Sequence, residues 1–166
     1  MPRRNSTPPE PEPVYLSTAG IARLRSKLAR LKHELPELAA EAGHAASFGD
    51  RSENDAYKQA KGILRRTQRQ IWTIEAQLKY AVEIKTGNQR PEAGDQVTIG
   101  STVMIESKTG ARRNYQILGA LETDPGAGII SHKSPLGAAL IGKKKGDVIE
   151  IKTARGGQEW KIIDIK

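Results

Sequence analysis

Apolar or small residues recur at Ile21, Leu24, Leu28, Leu31, Leu35, Leu38, Ala42 and Ala45, at gaps alternating between 3 and 4. The same alternation returns at Tyr57, Ala60, Leu64, Thr67, Ile71, Ile74, Leu78 and Ala81. A period of 3.5 is the seam of a coiled coil. Folding the chain back at Arg51 pairs Ala45 with Tyr57, Leu31 with Ile71, Leu28 with Ile74 and Ile21 with Ala81, and every pair of numbers sums to 102. The pattern predicts an antiparallel helical hairpin over residues 15–86 with its tip at 47–53. Ser17 or Thr18 can cap the first helix, which runs to about Ala46. The second runs from about Ser52 to about Ile84, and Gly87, Asn88 and Pro91 end it. Pro36 predicts a bend and not an end, because the seam continues past it. Small seam residues at Ala42, Ala45 and Ala60 predict a rod that tapers toward Gly49. Thr67, set opposite Leu35, predicts looser packing at mid-rod. Each arm of about 29 residues reaches roughly 40–45 Å.

From Gln96 the period changes to 2 and β-branched residues dominate. Strands are expected at about 97–106, 111–118, 127–131, 147–153 and 158–165, with Gly110 and Gly156-Gly157 as turn signals. Ser134-Pro135 opens a short helix with proline at its first position, closed by Gly142. The predicted fold class is α+β: the coiled-coil hairpin, a linker over 87–96, then a small antiparallel β domain with one short helix over 97–166. Residues 1–14 carry Pro2, Pro8, Pro9, Pro11 and Pro13. They read as an extended, disordered tail, with a PxxP-type ligand as the other reading.

Composition narrows the function classes. Hydrophobic residues make up 37% and aromatic residues 4%, with a single Phe. That argues against a large globular core and suits a long two-helix seam beside a small sheet. Without cysteine there is no disulfide framework and no thiolate metal site. No apolar stretch follows Met1-Pro2-Arg3-Arg4, and no apolar run approaches a membrane span. A cytoplasmic protein with no membrane partner is expected. The net charge is +8, of which +5 falls on residues 15–86, +3 on 87–166 and none on 1–14. A basic surplus on the rod favours an acidic partner, such as nucleic acid or an acidic protein channel.

Candidate chemistry sits at the tip. Asp50 and Glu53 admit two readings. As N-cap and third helical residue they form a capping-box arrangement. As two carboxylates one turn apart they can share a hard cation, and Mg²⁺ commonly takes one or two carboxylates with waters and phosphate oxygens. Two ligands hold Mg²⁺ weakly, so a partner would have to complete the shell. Lys58, Lys61, Arg65 and Arg69, at gaps of 3, 4 and 4 with Arg66 beside them, form a stripe just off the seam. It is either a solvated flank or a track for backbone phosphates. Little aromatic interleaving is evident, which argues against base stacking there. His44 near two acids invites a transition-metal reading that one imidazole supports weakly. Gly142-Lys143-Lys144-Lys145-Gly146 lacks the spacing of a phosphate loop and reads as a basic turn.

These residues resemble the Gre transcript-cleavage factors of bacterial RNA polymerase, and the resemblance covers nearly everything after residue 15. Leu16-Ser17-Thr18-Ala19-Gly20 with Leu24 is similar to the family's entry into its first helix. Ala45-Ala46-Ser47-Phe48-Gly49-Asp50-Arg51-Ser52-Glu53-Asn54 with Tyr57 resembles the GreB-type tip. Ile130-Ser131, Ser134-Pro135-Leu136-Gly137-Ala138-Ala139-Leu140-Ile141-Gly142-Lys143 and Gly146-Asp147 resemble the family's FKBP-like domain. The sequence departs from the family in its longer proline-rich start, in Ala154-Arg155 where proline is frequent, and in lacking an acidic run over 121–126.

The resemblance implies a monomeric accessory factor, not a free-standing enzyme. Its rod would enter the polymerase's secondary channel and stimulate Mg²⁺-dependent cleavage of the 3′ end of backtracked nascent RNA. It implies that Asp50 and Glu53 are the catalytic, Mg²⁺-sharing pair within the polymerase. Gly49, Arg51, Ser52, Asn54 and Tyr57 would support the tip, and Lys58, Lys61, Arg65, Arg66 and Arg69 would contact the extruded RNA. It implies no metal bound stably by the isolated chain. Three alternatives stand beside it: a Gre-like occupant of the channel that inhibits without cleavage, a prolyl isomerase, and a coiled-coil chaperone or nucleic-acid binder. An isomerase pocket needs aromatic walls, and residues 97–166 offer only Tyr115 and Trp160.

Overall fold

The computed structural model describes residues 12–48, 54–86, 96–153 and 156–166. Residues 1–11 of the tail expected over 1–14, most of the linker, Ala154-Arg155 and tip residues 49–53 lie outside them.

The hairpin is present. Helix α1 spans Thr18–Ala46 and α2 spans Asp55–Lys79. Ser17 caps α1, its hydroxyl accepting from the Gly20 amide at 3.0 Å. The helix runs through Pro36 without interruption. Leu31, Ile71 and Ile74 are buried, with Leu24, Leu28, Leu35 and Leu78 packed against them. Toward the tip the buried seam residues are Ala42 and Ala60, both small, so the backbones can approach. Thr67 is buried too. Lys32 bridges the arms to Glu75 at 2.6 Å.

The end of the second arm corrects the expectation. α2 stops at Lys79, and Ala81–Ile84 form a strand, β2. It pairs in parallel with β1, Val14–Ser17, in the register Val14↔Ala81 to Ser17↔Ile84. The Val14 amide also donates to the Tyr80 carbonyl at 2.9 Å. Val82 and Ile84 are β-branched and suit a strand, and β1 offers them backbone partners that no seam count reveals. Val14 therefore leaves the expected tail and becomes structural. Leu16 and Ile84 are buried at this junction.

The C-terminal part is a five-stranded sheet in the order β5-β4-β3-β7-β6. Its strands are β3 (Thr102–Ser107), β4 (Arg112–Leu118), β5 (Ile129–Ser131), β6 (Val148–Thr153) and β7 (Gly156–Ile165). Three pairings are antiparallel, whereas β4 and β5 are parallel. The sheet is thus mostly, not wholly, antiparallel. β3 starts five residues later than expected, because Gly100 turns at φ +97°. β5 is shortened by a 3-10 turn at Pro125–Ala127, which the Asp124 side chain caps. Gly156 and Gly157 belong to β7 and pair with Thr153 and Lys152.

Val97, Val103, Ile105, Ile117, Leu140 and Ile162 are fully enclosed in one core with Ile130, Ile149 and Trp160. The short helix α3, Pro135–Leu140, is capped by Ser134 and sends Leu140 into that core. The architecture is α+β.

Candidate functional site

At the tip, α1 ends in local bonds. The Ser47 hydroxyl donates to the His44 carbonyl at 2.7 Å, and the Phe48 amide donates to the Ala45 carbonyl at 3.4 Å. The His44 ring meets Phe48 edge to face at 4.8 Å, and Phe48 is 62% exposed. Across the gap, Asn54 is the N-cap of α2, its Oδ1 accepting from the Tyr57 amide at 3.0 Å. Its Nδ2 donates to the Ala45 and Phe48 carbonyls at 2.7 and 2.6 Å. One side chain therefore starts the second helix and ties it to the end of the first.

This corrects the start of α2 and the capping-box reading. The cap is Asn54, not Asp50, and the helix begins at Asp55, not near Ser52. Of the expected tip-support residues, Asn54 and Tyr57 take part in this lock. Gly49, Asp50, Arg51, Ser52 and Glu53 lie outside the described residues. Among the described residues no group of three or more His, Cys, Asp or Glu could hold a metal ion. The two carboxylates in the short connection are hard oxygen donors, the class Mg²⁺ takes.

The basic stripe divides in two. Near the tip it is engaged locally: Lys58 pairs with Asp55 at 3.3 Å, and Lys61 Nζ lies 5.0 Å from the centroid of the Tyr57 ring. Further along, no ion pair joins Arg65, Arg66 or Arg69 to a carboxylate among the described residues. Arg66 and Arg69 share a cleft of 520 Å³ with Lys27 of α1 and with Leu121. One turn beyond Arg69, Trp72 is 73% exposed. The expected shortage of aromatic rings holds from Lys58 to Arg69 and fails there. The signal was present as one more gap of 3.

The base of the rod carries a residue that pattern reading missed. Glu122, in a 3-10 turn at Ala120–Glu122 after β4, accepts from the Ser17 amide and hydroxyl, each at 2.6 Å. It also accepts from Arg23 Nη2 at 2.7 Å. α1 has no acidic residue in its first turn, so Glu122 places a negative charge at the positive end of the helix from elsewhere in the chain. The fit requires Gly20, whose Cβ would stand 2.3 Å from Glu122 Oε1. It also requires Gly119, whose Cβ would stand 1.7 Å from the Tyr15 carbonyl oxygen. That unpartnered first turn was the available signal.

Elsewhere, a cleft of 420 Å³ beside Trp160 is lined by Glu106, Lys108, Glu159 and Lys161 together with Val148 and Ile163. Its walls are more charged than aromatic. No helix is long and apolar enough to cross a membrane among the described residues.

The family profile "Transcription elongation factor, N-terminal" matches residues 14–82, and "Transcription elongation factor, GreA/GreB, C-term" matches residues 91–166. The chain is 37% identical over 157 residues to transcription elongation factor GreA of Thermoanaerobacter pseudethanolicus, covering 93% of this chain and 98% of that one. It is 39% identical over 132 residues to the GreA of Streptococcus suis, covering 79% and 81%. Among solved structures it resembles GreA factor homolog 1 of Thermus thermophilus, with 27% identity, a TM-score of 0.42, and 93% and 99% of the two chains covered.

Proposed function

The chain belongs to the GreA/GreB family of transcription elongation factors, and from that premise we propose that it binds RNA polymerase through the secondary channel and stimulates the polymerase's own hydrolysis of backtracked RNA 3′ ends. It acts as an accessory factor to an active site that it does not itself contain.

The observation that carries this reading is the Asn54 lock. The cap of α2 and the tie to Ala45 and Phe48 come from one neutral side chain. The N-cap position is therefore filled by Asn54 and not by Asp50, which supports a role for Asp50 and Glu53 beyond capping. The 29 residues of α1 carry the tip about 43 Å from the helix start, far enough to act inside a channel while the sheet stays outside. In that setting Asp50 and Glu53 would hold a Mg²⁺ jointly with the polymerase. When bound, such an ion supplies charge stabilisation and acidifies a bound water. Lys58, Lys61, Arg65, Arg66 and Arg69 meet the phosphates of the extruded RNA, where each neutralised phosphate adds salt-dependent affinity.

The test is cleavage in a stalled, backtracked complex. Asp50→Asn and Glu53→Gln keep side-chain size and remove an anionic ligand. Each is expected to lower cleavage stimulation by an order of magnitude or more while polymerase binding persists, with partial recovery at raised Mg²⁺. Full activity in Asp50→Asn overturns the assignment. A wild-type chain that binds and only slows the polymerase points instead to the channel-occupying inhibitor.

A further inference from the structure

Trp72 continues the stripe of Lys58, Lys61, Arg65 and Arg69 at gaps of 3, 4, 4 and 3, so it stands on the same face of α2. With 73% of it exposed, it is the most exposed of the large hydrophobic residues described. It lines a shallow cleft of 430 Å³ together with Arg65, Gln68 and Arg69. Glu75, one turn further, is occupied by Lys32 of the other arm at 2.6 Å. The face therefore combines an indole plane, two guanidinium groups and one amide.

We propose that Trp72 is a stacking platform for a nucleobase of single-stranded RNA, whose flanking phosphates lie on Arg65 and Arg69. Base stacking on an aromatic ring is tolerant of sequence, because every base presents a π face. Gln68 can add a hydrogen bond to a base edge or a sugar. The charge of the cleft selects this occupant over a protein. An apolar protein patch seated on Trp72 would desolvate two guanidinium groups without pairing them, whereas a polynucleotide supplies an anion at every step. The site deepens the proposed function, on which the source of the RNA rests. Trp72 lies 17 residues into α2 from Asp55, about 26 Å from the tip end. At the roughly 3.4 Å spacing of stacked nucleotides, that distance corresponds to about eight nucleotides, and to fewer in an extended strand. The platform then serves long extruded strands and not short ones.

The deciding experiment titrates the full chain with a 12-nucleotide oligoadenylate and with an abasic oligomer of equal length, which carries the same phosphates and no bases. Binding is read as the fluorescence anisotropy of a dye-labelled strand, which serves the Trp72 variants and the abasic strand alike, and quenching of tryptophan emission in the wild type reports the stacking itself, since Trp160 is buried and Trp72 is open to quenching. The oligoadenylate is expected to quench and to bind roughly tenfold or more tightly than the abasic strand. Trp72→Leu should bring oligoadenylate binding down to the abasic level and leave abasic binding unchanged. Trp72→Phe should keep part of the difference. Equal binding of the two strands by the wild type, or no detectable binding of either, overturns the proposal. So does a Trp72→Leu chain that still distinguishes them. If Trp72→Leu instead weakens binding to RNA-free polymerase, the face is a protein contact and the proposal fails. A base-dependent quench in a chain that gives no cleavage with polymerase would leave the platform standing and sink the proposed function. The two failures are thus distinguishable.

Discussion

The two ends of the rod are held by opposite means. At the base, Glu122 reaches Ser17 across 105 residues of sequence and accepts two bonds from it, with a third from Arg23. β1 and β2 close the same end. At the tip, one amide spans at most nine residues, from Asn54 to Ala45. The base is thus fixed by tertiary contacts and the tip by local capping chemistry. The difference bears on what the carboxylates do. Glu122 has a nearly fully buried side chain surrounded by donors, which is the environment of a structural acid. The tip has an asparagine as its N-cap.

The base end should be the costlier to break. Glu122→Ala leaves the buried Ser17 amide without its acceptor and removes a charge-assisted bond to the Ser17 hydroxyl. Arg23 is largely exposed and can turn to water. A loss of about 2–3 kcal/mol is expected, read as a lower denaturant midpoint. Faster hydrogen exchange at Ser17 and Gly20 should accompany it, with the tip end of α2, from Asp55 to Ala60, little changed. Glu122→Gln keeps one acceptor and should fall between. An unchanged midpoint in Glu122→Ala would erase the contrast between the ends.

The tip should give a smaller effect, and one that can be divided. Asn54→Ala removes the N-cap, worth about 1 kcal/mol, and both bonds to Ala45 and Phe48. Asn54→Asp keeps an equally good cap but has no donor for those carbonyls. Exchange at the Tyr57 amide should therefore quicken in the alanine variant and stay near wild type in the aspartate variant. The end of α1 should fray in both. If the aspartate variant leaves residues 45–48 as protected as before, the two carbonyl bonds do not hold the tip and the cap alone matters.

The same division explains what could be read in the sequence. The seam was legible because it is periodic: Leu31, Ile71, Ile74, Ala42 and Ala60 are buried where a 3.5 repeat puts them. Ser17 was legible as one of two candidate caps, beside Thr18, and Ser134 as the residue that opens α3, because capping is chemistry within three residues. The end of α2 was not, since Ala81 continues the seam while Val14–Ser17 captures it as a strand. Pairing across 67 residues leaves no mark in local pattern. Gly20 looked like a detail of helix entry, and only Glu122 beside it shows why a side chain there is excluded. Asp50 admits a capping reading because Asp and Glu at that spacing are common cap partners. Asn54, four residues later, is a cap of the same rank, and it also carries an amide that can donate to the facing carbonyls.

The smallest expected effect also belongs to the base, outside the Glu122 contact. Glu12 forms an ion pair with Lys133, next to the edge-to-face contact of Tyr15 with His132 at 5.3 Å. The Lys133 hydrogen bond, and then the attraction of its charge, hold the Glu12 carboxyl below the usual glutamate range. A depressed value in the folded state means that the pair contributes fully above the ordinary glutamate range. The contribution is lost as the pH falls through that range toward the lowered value. Both side chains are largely exposed, so the pair is screened by salt and contributes little. Glu12→Gln should therefore lower the melting temperature slightly near neutral pH, and the difference should shrink as the pH falls below the ordinary glutamate range and at about 1 M salt. A difference that survives acid would mean that Glu12 acts through packing and not charge. A difference as large as that of Glu122→Ala would place an exposed ion pair on a level with a buried acceptor, and the ranking of contacts at this end would fail with it.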